Sequence, residues 1–184
     1  MLKIVSMVII CTFDQPFHLQ YLSKNIDGAR LPNKGGSWVK LRLKPENYYI
    51  AFYKSGKILI TGVKSLKKIA NISQRILKIL DEVGVHGSIT KIETVNIVCL
   101  GTLQLNTTLE KIVFYLDSPD ASYEPEQFPG LIYKNWGATF LIFSTGKVIL
   151  TGVREFEEAK TLFEKLEKLI NVQYISKFKR KEKR

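Results

Sequence analysis

Few side chains in this sequence are spaced to make or break covalent bonds. The most suggestive set is a glycine beside a lysine with a threonine downstream: Ser55-Gly56-Lys57 with Thr61, and Thr145-Gly146-Lys147 with Thr151. A phosphate-cradling loop needs GxxxxGK followed directly by serine or threonine, because that hydroxyl holds the metal, and the pattern is absent. Cys11 and Cys99 are too few for a disulfide framework, and with only His18 and His86 beside them they make a poor zinc set. Paired carboxylates and a nucleophile elbow in supporting context are also missing. No catalytic, metal or cofactor role is therefore expected, and the chemistry left is recognition.

Charge says what would be recognised. Lys and Arg number 28 against 17 Asp and Glu, a net charge of +11 in 184 residues. Such a surface attracts polyanions, either nucleic acid or acidic lipid. The 45% apolar content is that of a packed protein. No apolar run reaches the ~18 residues a membrane span needs. Met1 to Thr12 is apolar but short and alternating, without a small-residue cleavage site, and reads as a strand rather than a leader. The low cysteine count points to a reducing compartment.

The elements that would carry these residues occur twice. KSGKILITGVK at Lys54–Lys64 matches STGKVILTGVR at Ser144–Arg154, 90 residues apart. The same offset aligns Val5 with Val95, Val8 with Val98, Leu19 with Leu109, Asp27 with Asp117 and Lys78 with Lys168. An offset held through strands and helices indicates duplication. Domain boundaries are expected at 1–92 and 93–176, followed by a basic tail over 177–184. Each unit is expected to run from an alternating strand to a short helix, near His18–Asp27 and Thr108–Asp117. Three strands follow, near Trp38–Leu43, Tyr48–Tyr53 and Lys57–Val63, and again near Leu131–Lys134, Thr139–Ser144 and Lys147–Val153. SGK and TGK read as tight hairpin turns. Each unit closes on a long helix with an apolar stripe, Leu66, Ile69, Ile76 and Leu80 in the first and Phe156, Ala159, Phe163, Leu166 and Ile170 in the second.

The hairpin strands are apolar on both faces. Phe140, Ile142, Val148 and Leu150 point one way, and Leu141, Phe143, Ile149 and Thr151 the other. Burying both faces normally takes helices on both sides, and two long and two short helices cover about one face of eight to ten strands. The second face is then buried by another copy or domain, or it is itself a binding surface. Lys57 and Lys147 lie on the strands that carry it, so a polyanion with apolar content, such as a DNA minor groove, is a fitting ligand.

SYEPEQFPGLIYK at Ser122–Lys134, LIFSTGKVILTG at Leu141–Gly152 and VNIV at Val95–Val98 resemble the second repeat of the TATA-binding protein family core, and the first unit carries a weaker version in the same order. The resemblance implies an α+β fold, a pseudo-two-fold saddle whose curved antiparallel sheet of about ten strands carries helices on its convex face. That family is itself the standing example of minor-groove wedging. The resemblance implies that Phe128, with Pro129 beside it, and Phe143 pry open a base step. Asn96 would reach the minor-groove acceptors, which look alike in A·T and T·A pairs. Val98, Leu141, Ile149 and Thr151 would line the apolar contact, and Lys134, Thr145 and Lys147 would meet phosphates. Glu124 and Glu126 match the family's contact with transcription factor B, through which RNA polymerase is engaged indirectly. Double-stranded DNA with a TATA box is the implied partner, with no membrane role.

The first unit departs from this pattern. Ser6 stands at the asparagine position, and Ala51 and Tyr53 at the positions of Leu141 and Phe143. Val8, Ser55, Lys57, Leu59 and Thr61 are the counterparts of Val98, Thr145, Lys147, Ile149 and Thr151. The ungapped offset sets Trp38 opposite Phe128 and is preferred because it also pairs Leu41 with Leu131 and Lys44 with Lys134. Matching Ala29 to Ala121 instead sets Gly36 there. EPEQF has no equivalent, so partner binding is expected on the second unit. The basic residues Lys64, Lys67, Lys68, Arg75 and Lys78 fall on the first long helix, either as a solvated face or as a docking surface. The short segment before the core resembles archaeal members, which implies the cytoplasm and the archaeal nucleoid, with the nucleus as the alternative. A paralogue with an altered nucleic-acid or protein partner is the rival reading.

Overall fold

Alternation fixes the first strand. In β1 (Lys3–Phe13), Met7, Ile9, Cys11 and Phe13 are buried while Ser6, Val8, Ile10 and Thr12 are half-buried. The protein is seen here as a computed structural model that describes residues 1–32, 36–116 and 118–181, with side chains as far as residue 171. Contacts divide the chain into two compact units, Val5–Asn96 and Ile97–Arg184 with Met1–Ile4.

In the Val5–Asn96 unit, β1 is followed by α1 (Leu19–Asn25), β2 (Trp38–Leu43), β3 (Tyr48–Tyr53), β4 (Lys57–Val63) and α2 (Ile69–Glu82), and β5 (Ile89–Thr102) begins. The antiparallel order is β2-β3-β4-β1. His18 caps α1 by accepting from the Tyr21 amide at 3.2 Å. On α2, Ile72, Ile76 and Leu80 recur every four residues and are wholly buried, so one helical stripe covers one sheet face. Cys11 of β1 meets Ser73 of α2 at 3.8 Å. Leu66, expected on this stripe, is 51% exposed, because Leu66–Lys68 forms a 3-10 turn that breaks the helical phase.

The second unit repeats the plan with α3 (Leu109–Leu116), β6 (Ala121–Ser122), β7 (Gly130–Asn135), β8 (Ala138–Phe143), β9 (Lys147–Val153) and α4 (Phe156–Lys181), in the order β5-β9-β8-β7-β6. Ala159, Leu162, Phe163, Leu166 and Ile170 of α4 are buried. Phe156, expected among them, is half-buried under the Lys160 ammonium at 4.8 Å. Backbone helix continues to Lys181, into the run expected as a tail; residues 182–184 of that run lie outside the described residues.

The described strands number nine, in line with the expected sheet of about ten. The counterpart of β6 in the first unit shrinks to one bridge, in which Arg30 and Lys40 exchange both backbone hydrogen bonds at 2.9 Å.

The glycines of the duplicated motif are structural. Gly56 and Gly146 close the β3–β4 and β8–β9 hairpins at φ of 83° and 78°. Each carbonyl then accepts from the chain leaving the long strand, Phe13 N–H at 2.9 Å and Leu103 N–H at 2.8 Å. The second glycine of each motif, Gly62 or Gly152, has φ of 90° or 99° beside a register shift, between Met7 and Val8 or between Ile97 and Cys99. These are glycine bulges, which bend and twist the strand. Backbone geometry therefore explains why the glycines of SGK and TGK recur, without a nucleotide-binding phosphate loop.

Gly137 separates two costs. It lies in the two-residue β7–β8 hairpin at φ of 77°, and a methyl group there meets nothing within 4 Å. Gly137→Ala should lose about 1 kcal/mol from positive φ alone. Gly146→Ala should lose clearly more, because its methyl group would collide with the Leu103 carbonyl oxygen. Equal urea midpoints for the two variants would contradict this.

Candidate nucleic-acid interface

The uncovered sheet face is built from the residues that alternate with the core. In the second unit Val98 and Leu100 of β5, Ile149 and Thr151 of β9, Thr139, Leu141 and Phe143 of β8, and Ile132 of β7 are all half-buried. Their neighbours Cys99, Val148, Leu150, Phe140, Ile142 and Leu131 are fully buried on the helix side. The register sets Leu100 against Ile149, Ile149 against Leu141, and Leu141 against Ile132, a row of apolar side chains across four strands. Lys134, Thr145 and Lys147 are exposed around it. Asn96 is half-buried on β5, in phase with Val98.

At the outer end of that row, Phe128 and Phe143 have ring centroids 5.9 Å apart at 62°. A turn brings Phe128 there, since its amide and that of Gln127 both donate to the Glu124 carbonyl at 2.9 Å. Gly130, directly across from Phe143, leaves the space: a methyl group on it would lie 2.8 Å from the Phe128 ring. Pro129 and the carboxylates of Glu124 and Glu126 are exposed on the same loop.

The corresponding face of the first unit is differently furnished. Ser6 and Val8 on β1 and Leu59 and Thr61 on β4 are half-buried, with Ser55 and Lys57 exposed at the hairpin. On β3 and β2 the face carries Tyr49, Ala51 and Tyr53 opposite Arg42, Lys40 and Trp38. The Trp38 and Tyr53 rings are 6.2 Å apart at 35°, and the Trp38 indole N–H donates to the Tyr49 hydroxyl at 3.2 Å. That bond passes beside Ala51, which is 1% exposed although it belongs to the open face. The Arg42 guanidinium lies 5.1 Å over the Tyr49 ring.

Comparison with known proteins shows the family. The model of the family described as transcription factor TFIID, or TATA-binding protein, matches residues 1–83 and 91–172, one stretch in each repeat. The chain belongs to the TATA-binding protein family. It is 31% identical to a TATA-box-binding protein of Sulfurisphaera tokodaii over 98% of this chain and 92% of that one. Identity to a TATA-box-binding protein of Archaeoglobus fulgidus is 30%, over 90% of this chain and 92% of that one. The fold matches Methanococcus jannaschii TBP with a TM-score of 0.83 and 28% identity, over 92% of this chain and 98% of that one. The α+β fold expected from the resemblance is therefore that of the family, which is one of DNA-binding transcription factors rather than enzymes.

Membership in the TATA-binding protein family makes the strand register worth following, and it corrects one expectation. Tyr53 and Phe143 are 90 apart, yet Trp38 faces Tyr53 while Gly130 faces Phe143. Across β2 and β7 the repeats are thus offset by 92: Leu131 answers to Val39 and Lys134 to Arg42, not to Leu41 and Lys44. Two extra residues between the start of α3 and β6 cause the shift, since Arg30 pairs with Lys40 as Ser122 pairs with Ile132. Gly36, not Trp38, holds the position of Phe128. The chain compensates by exchange. Phe128-Pro129-Gly130 becomes Gly36-Ser37-Trp38, so an aromatic ring still meets the strand-end aromatic, reached from two residues further along.

Among the described residues no group of three His, Cys, Asp or Glu could hold a metal ion, and no helix is long and apolar enough to cross a membrane. Burial pushes the Cys11 thiol up and the Cys99 thiol up to about 11. Since only thiolate is nucleophilic, raised values mean less of the reactive form at neutral pH. Neither cysteine should react with a thiol reagent at pH 8 while the protein is folded, and both should in denaturant. Rapid labelling of the native protein would overturn this placement.

Proposed function

We propose that the protein is a general transcription factor that binds and bends A·T-rich promoter DNA through the minor groove, nucleating transcription initiation. The observation that carries this reading is the Phe128–Phe143 ring pair at the end of an apolar row rimmed by Lys134 and Lys147. A wedge must be flat and apolar, because it replaces a stacked base and must not strand a polar group when it leaves water. Phenylalanine meets both demands. Asn96 and Ser6 supply short polar groups for the groove acceptors, whose likeness in A·T and T·A pairs sets the A·T preference. Thr145, Lys147, Ser55 and Lys57 at the hairpins, with Lys134, meet phosphates, which position the protein without specifying sequence.

The sequence repeats, 1–92 and 93–176, act as two half-site readers of unequal chemistry. The second uses Phe128, Phe143, Val98, Leu141, Ile149 and Thr151. The first uses Trp38 and Tyr53 with Val8, Leu59 and Thr61. Trp38 carries an N–H that a wedge would have to desolvate, and its bond to Tyr49 satisfies that group within the protein. Phe143→Ala should abolish most of the bend on an A·T-rich duplex in a fluorescence bend assay, whereas Tyr53→Ala should remove a smaller part. An unchanged bend angle in Phe143→Ala, or wild-type binding that ignores A·T content, would refute the reading.

Glu124 and Glu126, exposed on the loop that seats Phe128, form the contact for transcription factor B, through which polymerase is recruited. The double variant Glu124→Lys/Glu126→Lys should bind and bend DNA as the wild type does. It should weaken the ternary complex with transcription factor B by about tenfold or more, as loss of a charge-assisted contact implies. A ternary complex of wild-type strength would remove these residues from the partner surface. The archaeal relatives favour action at the nucleoid, in the cytoplasm.

A further inference from the structure

Charge is shared unequally between the units. Val5–Asn96 holds 14 basic and 6 acidic residues, whereas the rest of the chain holds 14 basic and 11 acidic. The excess in the first unit has a focus. At its outer edge, Arg30, Lys40 and Arg42 line a cleft of about 360 Å³ with Gly28, Leu41 and Tyr49, and no carboxylate is among the lining residues. The backbone there is fixed by the Arg30–Lys40 bridge, which sets two of the three cations side by side. Arg42 is steadied by Tyr49 beneath it and by a 3.3 Å bond to the Asn47 carbonyl.

The register identifies what stands in each place in the second unit. Ser122 answers to Arg30, Ile132 to Lys40, Lys134 to Arg42, Thr139 to Tyr49 and Asp120 to Gly28. The three cations of the first unit thus stand where the second has Ser122, Ile132 and Lys134, and Gly28 stands where it has the acid Asp120. An apolar side chain in the middle of the open face suits a groove floor. A lysine there, flanked by two arginines, suits phosphate oxygens, because Arg offers paired donors and Lys a compact charge.

We propose that this cleft is a phosphodiester-binding site for duplex DNA, which makes the first repeat chiefly a holder of the DNA backbone where the second reads the groove. The proposal rests on the minor-groove reading for the direction from which DNA arrives. Its ligand chemistry rests on the cleft alone. Each phosphate neutralised releases condensed counterions, so the slope of log K against log salt counts the contacts, at about 0.9 per phosphate.

The test uses the full chain and two duplexes of equal length, one A·T-rich and one G·C-rich, titrated by fluorescence anisotropy over a range of salt. Arg30→Gln/Lys40→Gln/Arg42→Gln should lower the slope by about 2 to 3 on both duplexes, as loss of three phosphate contacts requires. The wild type's A·T preference should survive. Lys64→Gln/Lys67→Gln/Lys68→Gln removes the same charge from the exposed start of the α2 region and should leave the slope nearly unchanged. An unchanged slope in the cleft variant, or an equal fall in both variants, would overturn the site. Unchanged circular dichroism and thermal midpoints would exclude misfolding as the cause. A wild type without A·T preference would sink the functional reading instead, and the G·C duplex would still decide the cleft.

Discussion

Each unit depends on a mismatch between how much apolar sheet it makes and how much helix it has to cover it. Side chains alternate across a strand, so Phe140, Ile142, Val148 and Leu150 can satisfy only the face on which α4 lies. Leu141, Phe143 and Ile149 must point away from that helix by the same geometry. Leaving such a row in water costs free energy, about 25 cal/mol for each Å² that a ligand would otherwise cover. Half-buried aromatic and branched residues there gain less in folding than fully buried ones, which is why the face is best understood as part of a complex. The glycine bulges serve the same end, since Gly62 and Gly152 bend strands that would otherwise run straight.

Much of this architecture is legible in the sequence alone. The strands near Trp38–Leu43, Tyr48–Tyr53, Lys57–Val63 and Lys147–Val153 coincide with β2, β3, β4 and β9, because period-two alternation and flanking glycines leave little choice. The two faces of β8 and β9 were legible for the same reason. What sequence could not supply was the pairing of β2. WVKLRL and GLIYKN share no residue pattern strong enough to expose a two-residue gap, and an ungapped offset looked simpler. Cross-strand hydrogen bonds decide the matter, since the residue facing Tyr53 can only be Trp38. The first unit's counterpart of β6 was hidden likewise, because one bridge at Arg30 and Lys40 has no periodic signature.

The same gap concealed part of the open face. Lys40 and Arg42 alternate with buried Val39, Leu41 and Leu43, so their exposure was readable, but their neighbours were not. Only the register brings Lys40 beside Ala51 and Arg42 beside Tyr49. Ile132 and Leu100 were overlooked for a simpler reason. Leu100 lies just past the VNIV match, and Ile132 lies inside the Ser122–Lys134 match without a role that the resemblance implies; alternation along β5 and β7 puts both on the open face.

Duplication followed by divergence has therefore separated two tasks that a symmetric protein would perform twice. A hydrocarbon surface discriminates by shape and gains from excluding water, whereas a cationic surface attracts any phosphate and discriminates little. In the second unit Leu141 and Ile132 meet in the middle of the face, with the Phe128–Phe143 pair at its end. The first unit has lost the bulk of Leu141 at Ala51 and filled the gap from the side with the Trp38–Tyr49 hydrogen bond. That bond ties two large side chains to each other and leaves less freedom for either to enter a base step. An exposed cation–π contact of about 0.5–1 kcal/mol holds Arg42 over Tyr49, less than a charge-assisted hydrogen bond of about 1.5–3 kcal/mol would return. The arginine is thus held ready yet can still turn toward an anion. A divergent repeat of this kind has exchanged one mode of binding for another, keeping the backbone that both modes share.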